Sequence, residues 1–141
     1  MSNPCKNFSS ELDVSELESL ANKILKSFDK GVIILQGELA SGKTTLTKAI
    51  SKALNKDECV TSPTFSLMSD YDGLRHYDLY MSDSEQIMQN GLFESFFEDI
   101  LHIVEWGDER LIEMLKKYEI PVCVVKISNS PKGRKYEVSF A

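Results

Sequence analysis

VIILQGELASGKTTLTKAI, Val32 to Ile50, is the stretch whose reading decides the fold. Val32 to Leu35 is a short, wholly apolar, β-branched run, which predicts a strand covered on both faces. Lys43 to Leu54 predicts a helix with Leu46, Ala49, Ile50 and Ala53 on one side. Between them lies Gly37-x-x-x-x-Gly42-Lys43-Thr44, the spacing of a Walker A loop.

The chemistry of that spacing is specific. Glycines let the backbone curl so that successive N–H groups point inward at a phosphate. The helix beginning near Lys43 aims the positive end of its dipole at the same place. On this reading Gly37, Glu38, Leu39, Ala40, Ser41, Gly42 and Lys43 cradle nucleotide phosphates, and the Lys43 amine reaches the β and γ positions. The Thr44 hydroxyl is the expected Mg²⁺ ligand, and Thr45 adds a donor near the α-phosphate.

Working outward, Asp13 to Phe28 has apolar residues at helical spacing, from Val14 through Leu17, Leu20, Ala21 and Ile24 to Phe28. Ser15 and Glu18 fit a capping box there, and Gly31 fits a left-handed cap. Phe65 to Tyr71 and Leu74 to Leu79 predict a hairpin turning at Asp72-Gly73. Ser82 to Gln89 predicts a short helix, Gly91 its end, and Leu92 to Phe97 a further turn or two. Ile100 to Glu105 predicts an apolar strand closed by an acid, and Glu109 to Tyr118 a helix. Val122 to Ile127 and Lys135 to Phe140 predict strands joined by a Pro-Lys-Gly turn. The expected class is α/β: one domain over 1–141, a three-layer P-loop NTPase-like sandwich whose sheet is mostly parallel with an antiparallel hairpin.

Composition narrows the function. The net charge of −6 repels a phosphate backbone on average, so no autonomous DNA binding is expected. Cys5, Cys59 and Cys123 are odd in number and far apart, which argues against a disulfide framework or a zinc site. No membrane segment and no secretory signal are read, so the expected location is cytoplasmic.

A phosphate loop with Mg²⁺ needs a carboxylate at a strand end. Glu105, closing ILHIVE, and Asp78, within HYDLY, are the two candidates. Asp70 to Gly73 matches a GTPase D-x-x-G only as a hairpin turn. Asn55 to Glu58 lacks the aspartate of a guanine-reading loop, so adenine is the default base.

With the loop GELASGKTTL, TSPTF (Thr61 to Phe65), HYDLY (His76 to Tyr80) and VEW (Val104 to Trp106) in that order, the chain resembles the bacterial TsaE family. Those are small P-loop ATPases required for threonylcarbamoyladenosine in tRNA. The resemblance covers roughly residues 9 to 136 and implies ATP and Mg²⁺ as cofactors. It places Thr61 to Phe65, with Thr64, as a switch-like loop near the γ-phosphate. It makes Asp78 a catalytic or water-ordering acid and Glu105 an acid of the Mg²⁺ site beside Thr44. It also implies that Trp106 sits beside the nucleotide and that Arg134 approaches it. TsaD and TsaB are the implied partners, and tRNA is met indirectly through their complex. The chain departs from the family pattern at Ala40, at Met81 and at Gly107, where glycine, a basic residue and proline are usual.

The function so implied is a weak, partner-stimulated ATPase that drives or resets the TsaD–TsaB pair. Two other readings fit the loop alone. A small-metabolite kinase needs arginine clamps on the migrating phosphate, for which Arg75, Arg110 and Arg134 are the supply. A non-hydrolytic ATP-sensing adaptor needs occupancy of the loop and no catalytic acid.

Overall fold

The computed structural model describes residues 7–38, 42–54, 68–71, 73–80 and 91–140. Its strands are β1 (Phe8–Leu12), β2 (Gly31–Gln36), β3 (Met68–Tyr71), β4 (Leu74–Asp78), β5 (Leu101–Glu105), β6 (Val122–Ser130) and β7 (Gly133–Phe140). The α-helices are α1 (Leu17–Ser27), α2 (Lys43–Ala53) and α3 (Glu109–Lys117), with 3₁₀ turns at Val14–Glu16 and Leu92–Phe97. Among the described residues, all seven strands form one sheet in the order β1-β7-β6-β2-β5-β4-β3.

β2 has the apolar sequence of a strand covered twice, and it is buried from Val32 to Leu35. Its side chains alternate between two cores. Ile33 and Leu35 pack with Leu17, Leu20 and Ile24 of α1 and with Leu46 and Ile50 of α2. Val32 and Ile34 pack on the other face with Leu111 and Leu115 of α3 and with Phe93 and Phe96. Helices therefore cover both faces of a mixed α/β sheet.

The sheet is more antiparallel than expected. β4, β5, β2 and β6 run parallel to one another, but β3/β4, β6/β7 and β1/β7 are antiparallel. Half of the six pairings are thus antiparallel, which corrects the expectation of a mostly parallel sheet. The cause is local. Ser130 pairs with Gly133 across Pro131 and Lys132, and so short a connection can only return the chain antiparallel. β1, which carries no pattern recognised in the sequence, then adds to β7 with Phe8 opposite Val138.

Two details at α1 also differ from expectation. The capping box is formed by Asp13 and Glu16, with the Asp13 carboxylate accepting from Ser15 N at 2.8 Å and Glu16 from Asp13 N at 3.2 Å. The Ser15–Glu18 pair lies two residues too late, because a 3₁₀ turn precedes the helix. Gly31 is not the helix cap: it opens β2 at φ 115°, where a Cβ would meet the Pro121 carbonyl at 2.7 Å. The expected hairpin is present, with Tyr71 opposite Leu74 and Gly73 at φ 74°, while Asp72 and the first part of its expected leading strand, 65–67, lie outside the described residues. The expected helix at Ser82 to Gln89 lies outside the described residues. Among the described residues, no helix is long and apolar enough to cross a membrane.

Candidate functional site

The parallel strands set the site. In register, Leu35 of β2 lies beside Glu105 of β5, and Glu105 beside Asp78 of β4, so both acids reach the carboxyl edge of the sheet. Ligands of open α/β sheets bind at that edge. The backbone ladder continues past the strand ends and ties them together: Leu79 N donates to Glu105 O at 3.0 Å, and Trp106 N to Leu35 O at 3.1 Å. The Gln36 amide adds a bond to the Gly107 carbonyl at 2.9 Å.

α2 starts immediately above this edge. Gly42 precedes it at φ 99°, a conformation that side-chain-bearing residues avoid. Lys43 is its first residue and is almost wholly buried. The amine donates to the carbonyls of Gly37 at 2.9 Å and Glu38 at 2.7 Å, and it lies 3.9 Å from the centre of the Trp106 ring. Burial pushes the Lys43 pKa down, and the negative charges of Glu105 and Asp78 pull it back up.

Thr44 turns the other way. Its hydroxyl hydrogen-bonds to both oxygens of Glu105, at 2.9 Å to Oε1 and 3.1 Å to Oε2. Glu105 is itself buried, and its Oε2 accepts from His76 Nε2 at 2.5 Å. A buried carboxylate is costly unless it is paired and hydrogen-bonded. Here a threonine and a histidine do that work, with a lysine close by.

The structure brings Gly37, Glu38, Gly42, Lys43, Thr44, Asp78, Glu105, Trp106 and Arg134 to one end of the sheet. Thr45, the second threonine of the loop, is exposed on the first turn of α2. Asp78 ends β4, and its carboxylate accepts from Tyr80 N at 3.0 Å. Arg134 is half-buried on β7, and its guanidinium lies so close to Gly42 that any Cβ there would collide with it. The Tyr136 hydroxyl, raised in pKa by burial, is hydrogen-bonded to the same guanidinium. Leu39, Ala40, Ser41 and Thr64, with the rest of Thr61 to Phe65, lie outside the described residues, as does Met81.

Trp106 has an unusual backbone. A bulky residue at φ 70° is uncommon and strained, and it stands directly after Glu105. The turn points the indole between Lys43 and Tyr80, whose ring centre is 4.9 Å away. Gly107, which follows, packs against β2: a Cβ there would approach Ile34 Cγ2 to 2.7 Å. The glycine in place of the usual proline is thus matched by a close approach of Ile34.

His76 is the site residue that the sequence reading missed. The signal was present: His76 and Asp78 are two apart on a strand and so share a face. Tyr80 and Gln36 were missed as well, and only their contacts reveal them.

Fold and site together define a class: a mixed α/β protein whose parallel strands end at a glycine–lysine–threonine loop faced by two carboxylates. One family model, described as threonylcarbamoyl adenosine biosynthesis protein TsaE, matches residues 12–136. The tRNA threonylcarbamoyladenosine biosynthesis protein TsaE of Treponema pallidum (strain Nichols) is 32% identical over 114 residues, covering 78% of this chain and 82% of that one. Its counterpart in Bacillus subtilis (strain 168) is 30% identical over 129 residues, covering 82% and 80%. The crystal structure of YdiB from Bacillus subtilis superposes with a TM-score of 0.65 at 26% identity, covering 99% of this chain and 90% of that one. The chain belongs to the TsaE family.

Proposed function

We propose that this chain is the Mg²⁺-dependent ATPase subunit of tRNA threonylcarbamoyladenosine biosynthesis, acting on a TsaD–TsaB pair that it drives or resets. The fold reading that goes with it is a P-loop NTPase-like sandwich, supported by the parallel core β4-β5-β2-β6 and by the loop between β2 and α2. The observation that carries the proposal is the meeting of Lys43, Thr44 and Glu105.

A hydroxyl and a carboxylate are hard oxygen donors of the kind that Mg²⁺ takes. Thr44 and Glu105 fit the ion, and His76 steadies the carboxylate behind them. When bound, Mg²⁺ supplies positive charge at the β- and γ-phosphate oxygens. Lys43, which now donates to the loop's own carbonyls, would turn its amine onto those oxygens. Asp78 would accept a hydrogen bond from the attacking water, whose addition gives ADP and phosphate. Arg134 would approach from β7 across Gly42. A kinase would need more clamps on the phosphate than this. Arg75 is paired with Glu98, and Arg110 is exposed on α3.

The test is ATP hydrolysis by the protein alone and with TsaD, TsaB and tRNA. The expected result is slow release of phosphate that rises when all are present. No nucleotide binding and no stimulation would overturn the proposal, and phosphate found on a small alcohol would favour a kinase.

A further inference from the structure

His76 occupies a position where the fold calls for a hydrocarbon. It pairs in register with Ile103, so its side chain shares the face of Leu74, Ile103 and α2. Those neighbours belong to the larger apolar core, and the imidazole among them is fully buried. Burying a polar ring in such a place is favourable only when its nitrogens find partners.

Its Nε2 lies 2.5 Å from Glu105 Oε2. A carboxylate only accepts, so the bond fixes the ring tautomer with the proton on Nε2. The terminal torsion of a glutamate is otherwise broad. Held at Oε2 by the histidine, the carboxylate plane cannot turn freely, and Oε1 stays beside Thr44 Oγ1 at 2.9 Å. Asp78, two residues along the same strand, is carried on the same backbone. One strand thereby positions both acids: Asp78 directly, and Glu105 through His76.

We infer that His76 is a positioning residue for the divalent-cation site, holding the Glu105 carboxylate in the orientation that a Mg²⁺ ion beside Thr44 requires. The inference rests on the nucleotide reading above and adds to it the group that sets the geometry of its acid. Hydrogen bonds to a metal-ligating group commonly govern metal affinity without touching the metal.

The experiment is Mg²⁺ titration of the ADP-bound protein, followed calorimetrically, alongside ADP binding in EDTA. His76→Leu keeps the volume and removes the donor. It is expected to weaken Mg²⁺ binding about 10–100-fold. ADP affinity in EDTA should change by no more than about twofold, as for a site acting independently. His76→Gln, whose amide reaches about as far as Nε2, should recover most of the Mg²⁺ affinity, whereas the shorter His76→Asn should not. In a Glu105→Gln background, His76→Leu should add little, since the group it orients is already altered.

Equal Mg²⁺ affinity in wild type and His76→Leu would overturn the inference. Should His76→Leu fail to fold, equal affinities in His76→Gln and His76→Asn would do the same. Wild-type protein that binds ADP with no Mg²⁺ dependence, or that binds no ADP, would overturn the nucleotide reading and this inference with it.

Discussion

The molecule buries two histidines on adjacent strands, and they face opposite ways. His76 of β4 turns toward α2 and meets the Glu105 carboxylate. His102 of β5 turns toward the aromatic core, where its Nε2 donates to the Glu98 carbonyl at 3.0 Å and its Nδ1 accepts from the Tyr77 hydroxyl at 2.8 Å. Tyr77 also meets Ser95 Oγ at 2.7 Å, and its ring packs on Phe96 with centroids 4.7 Å apart. Every partner of His102 in that set is neutral and serves to fasten the Leu92–Phe97 turn onto the sheet. The partner of His76 is an acid at the sheet edge where ligands bind. The same residue type is a rivet on one face and part of a charged site on the other, and what decides between them is the chemistry of the partner.

That contrast can be broken from either side. The largest effects should come from the charged side. Lys43→Ala or Glu105→Gln is expected to lower Mg²⁺-dependent ATP hydrolysis by about 10²–10³-fold, the scale for losing one oriented charge-stabilising group. Steady-state phosphate release reads this, with circular dichroism to show that the fold persists. From the neutral side, Tyr77→Phe removes the donor to His102 Nδ1 and should cost about 1–3 kcal/mol in stability by urea unfolding. Nucleotide binding by that variant should match wild type, since Tyr77 faces away from α2.

A comparable effect sharpens the picture near the Trp106 turn. Gly107→Ala places a Cβ against Ile34 Cγ2, and the expected loss in stability is about 1–3 kcal/mol, because the Cγ2 of a buried β-branched residue cannot swing aside. The smallest effect is a pH slope. The folded pKa of Lys43 is lowered below 10.5, so between that lowered value and 10.5 the unfolded chain binds the proton that the folded chain has released. In the nucleotide-free protein, stability relative to Lys43→Met should therefore rise as pH climbs through that window. Thermal unfolding of the two proteins across alkaline pH measures it, and a falling difference would contradict the burial of the amine.

Much of this architecture was legible because its signals are local. VIIL, the Gly37–Thr44 loop and the amphipathic face of α2 adjoin in sequence, so the strand, the loop and the helix were read together. Glu105 was legible because an acid closing an apolar strand is conspicuous. β1 was not, because Phe8, Ser10 and Leu12 make only three alternating positions and their partners on β7 lie more than a hundred residues later. The antiparallel share of the sheet was underestimated because the turn at Pro131 and Lys132 was read without its consequence, that β7 returns antiparallel and offers its free side to β1. His76 was legible only as a residue sharing a face with Asp78; that it serves Glu105 emerges once the register places the two within reach. Arg134 was named only through the resemblance, and the β6–β7 hairpin is what carries it onto Gly42.

The most direct test of the proposed site is equilibrium binding of ATP, with and without Mg²⁺, to wild-type protein and to Lys43→Ala. The account predicts binding by wild type that strengthens with Mg²⁺ and is lost in Lys43→Ala while the fold is retained. Equal binding by the two proteins, or none by wild type at any Mg²⁺ concentration, would contradict it.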